Sequence, residues 1–303
     1  MSRQAHDLPE GGPFPRQSVT LAAQAACVLE VSAPKPGNVT RYADFSDTHF
    51  EDFLLSAIAI GPALTQADHA GVGEIIRRAV QDTQRMVHSN TNLGILLLLA
   101  PLVKACQGEG ALRENLTQVL AGLTVEDARQ AYMAIRLARP GGLGHTSQAD
   151  VAEEPTLTLY QAMSLAQEWD SIAREYVTNF AITFEIGYPA LCDVWHVAAN
   201  PADAIVQAYL TLLARVPDTL IARKRGAEMA KQVSRWAEDV LEAGGVFTAQ
   251  GRLAVADLDR TLRDERHTLN PGTTADLTAA AIFLVLLHDG HTTWNIGATT
   301  VRV

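Results

Sequence analysis

"TNLGILLLLAPLVKAC", residues 91–106, decides the fold. It is apolar on nearly every helical face, so as a helix it has no side to offer water and belongs at the centre of a bundle. Its most apolar part, Leu93 to Val103, is shorter than the ~20 residues that span a bilayer. Two more stretches read the same way, residues 275–287 and 180–197. Around these centres, helical spacing of apolar residues predicts helices over 18–31, 48–64, 74–87, 125–137, 157–166, 202–214, 227–241 and 254–263, with one long helical stretch over 171–197. Period-two alternation is scarcely found. The expected fold class is all-α: one large multi-helix domain, residues 18–303, behind a flexible lead of residues 1–17.

The chain has 303 residues, 48% of them hydrophobic, and a net charge of −10. A chain of that length buries roughly 75% of its unfolded surface, so a large core is available. No polybasic block occurs, which argues against nucleic acid as a partner. No stretch suits a membrane. An anionic small substrate is compatible with the charge, because local bases or a metal offset the global sign. The lead lacks the apolar core of a signal peptide. Cys27, Cys106 and Cys192 lie far apart in apolar surroundings with no CxxC pair. They read as small buried hydrophobes in a reducing compartment, and the expected location is cytoplasmic. Nothing in the sequence sets the oligomeric state.

The irregular segments share a composition. They are "PKPGN" (34–38), "HSNTN" (88–92), "GGLGHTSQAD" (141–150), "VPDTLIARKRG" (216–226) and "LNPGTTAD" (269–276). Most lead into an apolar helix, and exposed N–H groups at helix starts bind phosphate, with small residues permitting close approach. A site built from several such loops suits a polyphosphate with Mg²⁺. Each loop also has a structural alternative. Pro36-Gly37 is a common turn pair. Thr273 and Asp276 have capping-box spacing. Asp218 suits a first-turn acid, Asn90 an N-cap before Thr91, and Arg223 and Lys224 last-turn cations.

Glu185 stands in the apolar "NFAITFEIGYPAL". A carboxylate there must be paired, protonated or metal-bound, and Arg174 is its structural partner of choice. "HDGH", with His288 and His291, invites a metal reading that needs further ligands, such as His88 and His145. In "CDVWH", Cys192 and His196 share a helix face, but Trp195 marks it as packing. No P-loop and no nucleophile elbow is present.

In this order, "PKPGN", "NTNLGILLLLAPL", "FEIGYP", "PDTLIARKRG" and "NPGTTADLTAAAIFL" resemble the triphosphoribosyl-dephospho-CoA synthase family, over roughly residues 18 to 290. The resemblance implies an all-α enzyme that joins ATP to 3′-dephospho-CoA through a ribosyl 1″–2′ bond and releases adenine, with Mg²⁺ as cofactor. The partners are then ATP and a small-molecule acceptor. The product is the prosthetic-group precursor of citrate or malonate lyase-type acyl carrier proteins. Two motifs depart from the citrate-lyase members. "KPG" continues as Asn38-Val39-Thr40-Arg41, and "NTHKG" appears as "NTNLG", so Asn92 and Leu93 replace a histidine and a lysine. Other segments look like a divergent branch of archaea and of bacteria with methanopterin-linked one-carbon metabolism.

With the resemblance, the candidate site is as follows. Lys35 and the backbone of Gly37 and Asn38 bind phosphate. Asn90 and Asn92 hydrogen-bond ribose or phosphate, and Arg223 and Lys224 neutralise the triphosphate. Glu185, Asp218 and Asp276 hold Mg²⁺, one of them facing the ribose as the catalytic carboxylate. Arg41 and Asp44 of the first loop, with Asn270, Gly272 and Thr273, complete the set. The competing expectations are ribosyl transfer to another acceptor in methanopterin-linked metabolism, an all-α metal phosphohydrolase, and a non-catalytic nucleotide-binding protein.

Overall fold

The computed structural model describes residues 13–141, 144 and 148–289. In chain order the helices are α1 (Arg16–Ser32), α2 (Phe50–Ala59), α3 (Gly61–Thr65), α4 (Val72–Met86), α5 (Leu93–Ala105), α6 (Leu112–Ala121), α7 (Val125–Ala138), α8 (Leu159–Ala166), α9 (Ser171–Val177), α10 (Tyr188–Trp195), α11 (Pro201–Arg215), α12 (Thr219–Arg225), α13 (Ala227–Glu242), α14 (Ala249–Leu262) and α15 (Gly272–Asp289). No strand occurs among the described residues, so the all-α expectation holds. No single described helix is long and apolar enough to cross a membrane.

The central helices are the ones their composition requires. In α5 every residue but Gly94 and Lys104 is buried, and α15 is buried from Leu277 to Leu287. α15 packs against α1, α5, α10 and α11, while α4 pairs with α7 and α11 with α13 around them. One continuous core runs from Phe14 to Leu287. Pro101 interrupts the α5 hydrogen-bond ladder, because a proline has no N–H to offer the carbonyl four residues back. That carbonyl, Leu97 O, accepts instead from the buried Tyr176 hydroxyl at 2.7 Å. Cys27 and Cys106 are buried and Cys192 is half-buried, without disulfides among the described residues.

The helix boundaries differ from the periodicity in four places. The predicted helix over 48–64 divides at Gly61-Pro62 into α2 and α3. α6 was not expected: its apolar side is one leucine per turn, Leu112, Leu116 and Leu120, a stripe too narrow to stand out. The predicted stretch over 171–197 breaks after α9, where Asn179 and Phe180 both take the left-handed conformation, φ +52° and +59°. The buried Glu175 carboxylate then accepts Ile182 N at 2.9 Å and Thr183 N at 2.7 Å. These bonds restart the helix through a π-helical turn, Thr183–Gly187, into α10. Finally, "TLIARKR", read as loop, is α12, started by the Asp218 side chain.

Candidate active site

The C-terminal end of α1, the loop after it, the N-termini of α5, α9 and α15, the C-terminal end of α7, and α12 converge on a cleft of about 870 Å³. Its floor is set by a close approach of α5 to α15. A Cβ built on Gly94 would lie 2.0 Å from Asp276 Oδ2, so glycine at this position makes room for the Asp276 carboxylate in the wall. Among the described residues no donor bonds to that carboxylate. Burial raises its pKa well above the ordinary carboxylate range, Glu30 and Asp218 add to the rise, and Arg223 opposes it. Glu30 lines the cleft beside it. Two helix N-termini, those of α5 and α15, present their first residues to the same space, and each carries the positive end of a helix dipole.

The predicted residues divide. Asn38, Asn90, Asn92, Arg223, Lys224, Asn270, Gly272, Thr273 and Asp276 all line the cleft. Asn38 donates from Nδ2 to Asn270 Oδ1 at 2.7 Å, and its own Oδ1 is buried with no partner. Asn92 is held by Thr83 Oγ1 at 3.0 Å, and Asn90 accepts Leu93 N at 3.3 Å. Arg223 pairs with Asp170 at 2.7 Å. Lys224 is half-buried, donates to His267 O at 3.2 Å, and has its pKa lowered by burial.

Six predicted residues lie elsewhere. Lys35 is 1% exposed and faces inward, its Nζ 2.9 Å from Glu30 Oε1. Burying a lysine is tolerable only with such a counter-charge, so Lys35 neutralises the protein's own Glu30 instead of facing the cleft. Gly37 spends its N–H on Asp259 Oδ1 at 2.8 Å. With φ +79° and Leu262 Cβ 2.9 Å from an added Cβ, its glycine is required for the loop to seat on α14. Arg41 and Asp44 are exposed, and Asp44 accepts Phe50 N at 2.8 Å at the start of α2. Asp218 starts two helices at once. Its Oδ1 accepts Leu220 N and Ile221 N of α12 at 2.9 and 3.0 Å. Its Oδ2 accepts Thr274 N and Oγ1 of α15 at 2.7 and 2.8 Å.

The Thr273–Asp276 capping box, the structural alternative for this loop, does not form, and Thr219 Oγ1 meets Thr273 Oγ1 at 3.2 Å. Glu185 is on the surface, its side chain 60% exposed, paired with Arg113 at 2.6 Å and not with Arg174. The three carboxylates expected around Mg²⁺ thus do not meet, and no group of three potential ligands forms among the described residues. His288 is exposed at the end of α15, while His145 and His291 lie outside the described residues.

Several residues in the wall were missed. Glu30 is a lone acid in the apolar "ACVLEVS", five residues before Lys35, the same signal of an acid in an apolar stretch that singles out Glu185. Arg136, Arg139, Arg266 and His267 also line the cleft, as does Phe45. The Phe45 ring stacks on His267 with centroids 3.8 Å apart.

Helix N-termini and cationic side chains in the walls suit the cleft to an anionic ligand. Comparison with known proteins agrees. The profile of the family described as ATP:dephospho-CoA triphosphoribosyl transferase matches residues 16–294. The chain belongs to this family. It is 28% identical over 92% of its length to a Pseudomonas fluorescens protein named "Probable 2-(5''-triphosphoribosyl)-3'-dephosphocoenzyme-A synthase", of which 94% is covered. A Malonomonas rubra protein of the same name is 25% identical, over 88% of this chain and 86% of that one. The crystal structure of an Archaeoglobus fulgidus protein described as a "putative triphosphoribosyl-dephospho-coA synthase" superposes with TM-score 0.62. It is 31% identical and matches 78% of this chain and 98% of that one. The chain is thus a triphosphoribosyl-dephospho-CoA synthase-like transferase, as its loop motifs led us to expect.

Proposed function

We propose that this transferase moves the triphosphoribosyl unit of ATP onto a hydroxyl of 3′-dephospho-CoA and releases adenine, with Mg²⁺ as cofactor. The observation that carries the reading is Asp276, a carboxylate with no hydrogen-bond partner among the described residues, set between two helix N-termini in the cleft wall. In the reaction the acceptor oxygen bonds to the ribose C1 while the bond from C1 to the adenine nitrogen breaks. Adenine leaves with the electron pair and takes up a proton, and the hydroxyl proton passes to a base. Asp276 has the raised proton affinity that such a base needs.

The N-termini of α5 and α15, with Arg223 and Lys224, hold the triphosphate. Asn38 and Asn270, a hydrogen-bonded amide pair in the cleft wall, face the ribose hydroxyls. Mg²⁺ would offset phosphate charge when bound. Asp276 would hold it through one of its waters, because this ion keeps much of its water and needs only one or two carboxylates.

Mass spectrometry of products from ATP and a panel of acceptors, 3′-dephospho-CoA and pterin-type precursors included, tests the reading. Adenine is expected in equal amount with a triphosphoribosylated dephospho-CoA. Phosphate or pyrophosphate without adenine would make the protein a hydrolase, and binding without turnover a non-catalytic protein. Asp276→Asn should lower kcat by about 100-fold or more while the variant still binds ATP.

A further inference from the structure

Arg139 contradicts two local rules. It ends α7 with φ +48° and ψ +56°, a left-handed conformation that non-glycine residues uncommonly adopt and that helix ends usually give to glycine. It also precedes Pro140, and a residue before proline is driven toward extended backbone. A backbone outlier of this kind is kept where the surrounding fold imposes it, commonly at a ligand site. Arg139 is exposed and lines the cleft. Among the described residues, its guanidinium has no carboxylate within ion-pair distance. Arg223, in the same wall, is by contrast paired with Asp170.

A second strained segment faces it. His267 has φ +51° and follows Arg266, which is exposed, lines the cleft and likewise has no carboxylate partner among the described residues. Asp264 holds this turn by accepting Arg266 N and Thr268 N at 2.9 and 3.0 Å. The two segments meet at Lys224. Its Nζ donates to His267 O, and its Cε lies 3.7 Å from a Cβ built on Gly141. Three cations from three separate elements are thus gathered at the cleft mouth, and at least one of them, Arg139, is in a conformation that local preference opposes.

The geometry points to an anion-binding arm: Arg139, with Arg266 and Lys224, grips the outer phosphates of a substrate polyphosphate at the cleft mouth. A guanidinium binds phosphate oxygens in pairs, which suits it to that task. The inference rests on the transferase reading and adds to it the residue that takes the outer charge. The polyphosphate is either the triphosphate of ATP or the diphosphate of dephospho-CoA.

Arg139→Gly separates ligand binding from folding, because glycine accepts the left-handed conformation without strain. Calorimetric titration of wild type and variant with ATP, inorganic tripolyphosphate and 3′-dephospho-CoA is combined with the Tm of the unliganded proteins. The variant should bind at least one ligand about tenfold or more weakly, with a Tm no lower than wild type. Weakening toward ATP and tripolyphosphate together assigns the arm to the triphosphate, and weakening toward dephospho-CoA alone assigns it to the diphosphate. Wild-type affinity for all three overturns the inference. So does a lowered Tm, which would make the Arg139 conformation a device of stability. Wild-type protein that binds ATP yet forms no product would sink the transferase reading and leave the arm standing.

Discussion

At the scale of single residues, Gly94 and Asp276 act as one unit. An alanine at 94 would remove a helical glycine, which is worth roughly 0.5–1 kcal/mol to the helix. It would also drive a methyl group into the Asp276 carboxylate. The carboxylate is the free end of a side chain and can swing aside, so Gly94→Ala should fold with an unchanged or raised Tm. Its kcat should fall by about 100-fold, because the base no longer stands at its place. A variant with normal kinetics would show that the Asp276 position is immaterial. Lys35 and Glu185 teach the converse at this scale. A lysine in a Pro-Gly loop looked like a phosphate ligand and is a buried counter-ion, and an acid in an apolar stretch looked buried and is on the surface. Sequence context told which charges were unusual but not which way each side chain turns.

At the scale of elements, the central helices depend on polar groups donated from outside them. Pro101 leaves the Leu97 carbonyl without its helical donor, and Tyr176 of α9 supplies one. Tyr176→Phe keeps the ring and removes the donor. It should lower unfolding stability by about 1–3 kcal/mol, the cost of a buried unpaired carbonyl, as read by urea denaturation. A loss well below that range would mean that the carbonyl finds another donor. Asp218 shows the same dependence. It was read as a metal ligand and instead joins the starts of α12 and α15, two of the elements that carry cleft residues. Its burial raises its pKa even against four accepted hydrogen bonds.

At the scale of the whole molecule, Glu175 couples stability to pH. Burial pushes its pKa from 4.5 up to about 7, although Thr183 and Ile182 donate to it. Between those values the folded protein keeps a proton that the unfolded chain releases. The stabilisation is therefore complete below about pH 4.5 and is lost as pH rises through 7. The contribution is of order 3 kcal/mol. Unfolding free energy measured from pH 4.5 to 7.5 should decline by at least an amount of that order, since the raised Asp276 and Asp218 act in the same direction, and Glu175→Gln should make the decline shallower by the Glu175 share. An equal slope in the variant would place the titrating group elsewhere.

The sequence by itself determined the all-α class, the central place of α5 and α15, and the loops that meet at the cleft. Apolar patterning and turn chemistry are local, and burial of an all-apolar helix leaves no choice of position. Nine predicted residues reach the cleft because the loops and helix ends that carry them do. Only the tertiary structure decided which charges face the ligand. Lys35 and Glu30 are near neighbours in sequence, yet Glu30 lines the cleft while Lys35 turns away from it. Arg139, Arg266 and Glu30 join Asp276 through packing of helices distant along the chain. That choice is made by long-range contact and the cost of burying unpaired charge, neither of which is written in local pattern.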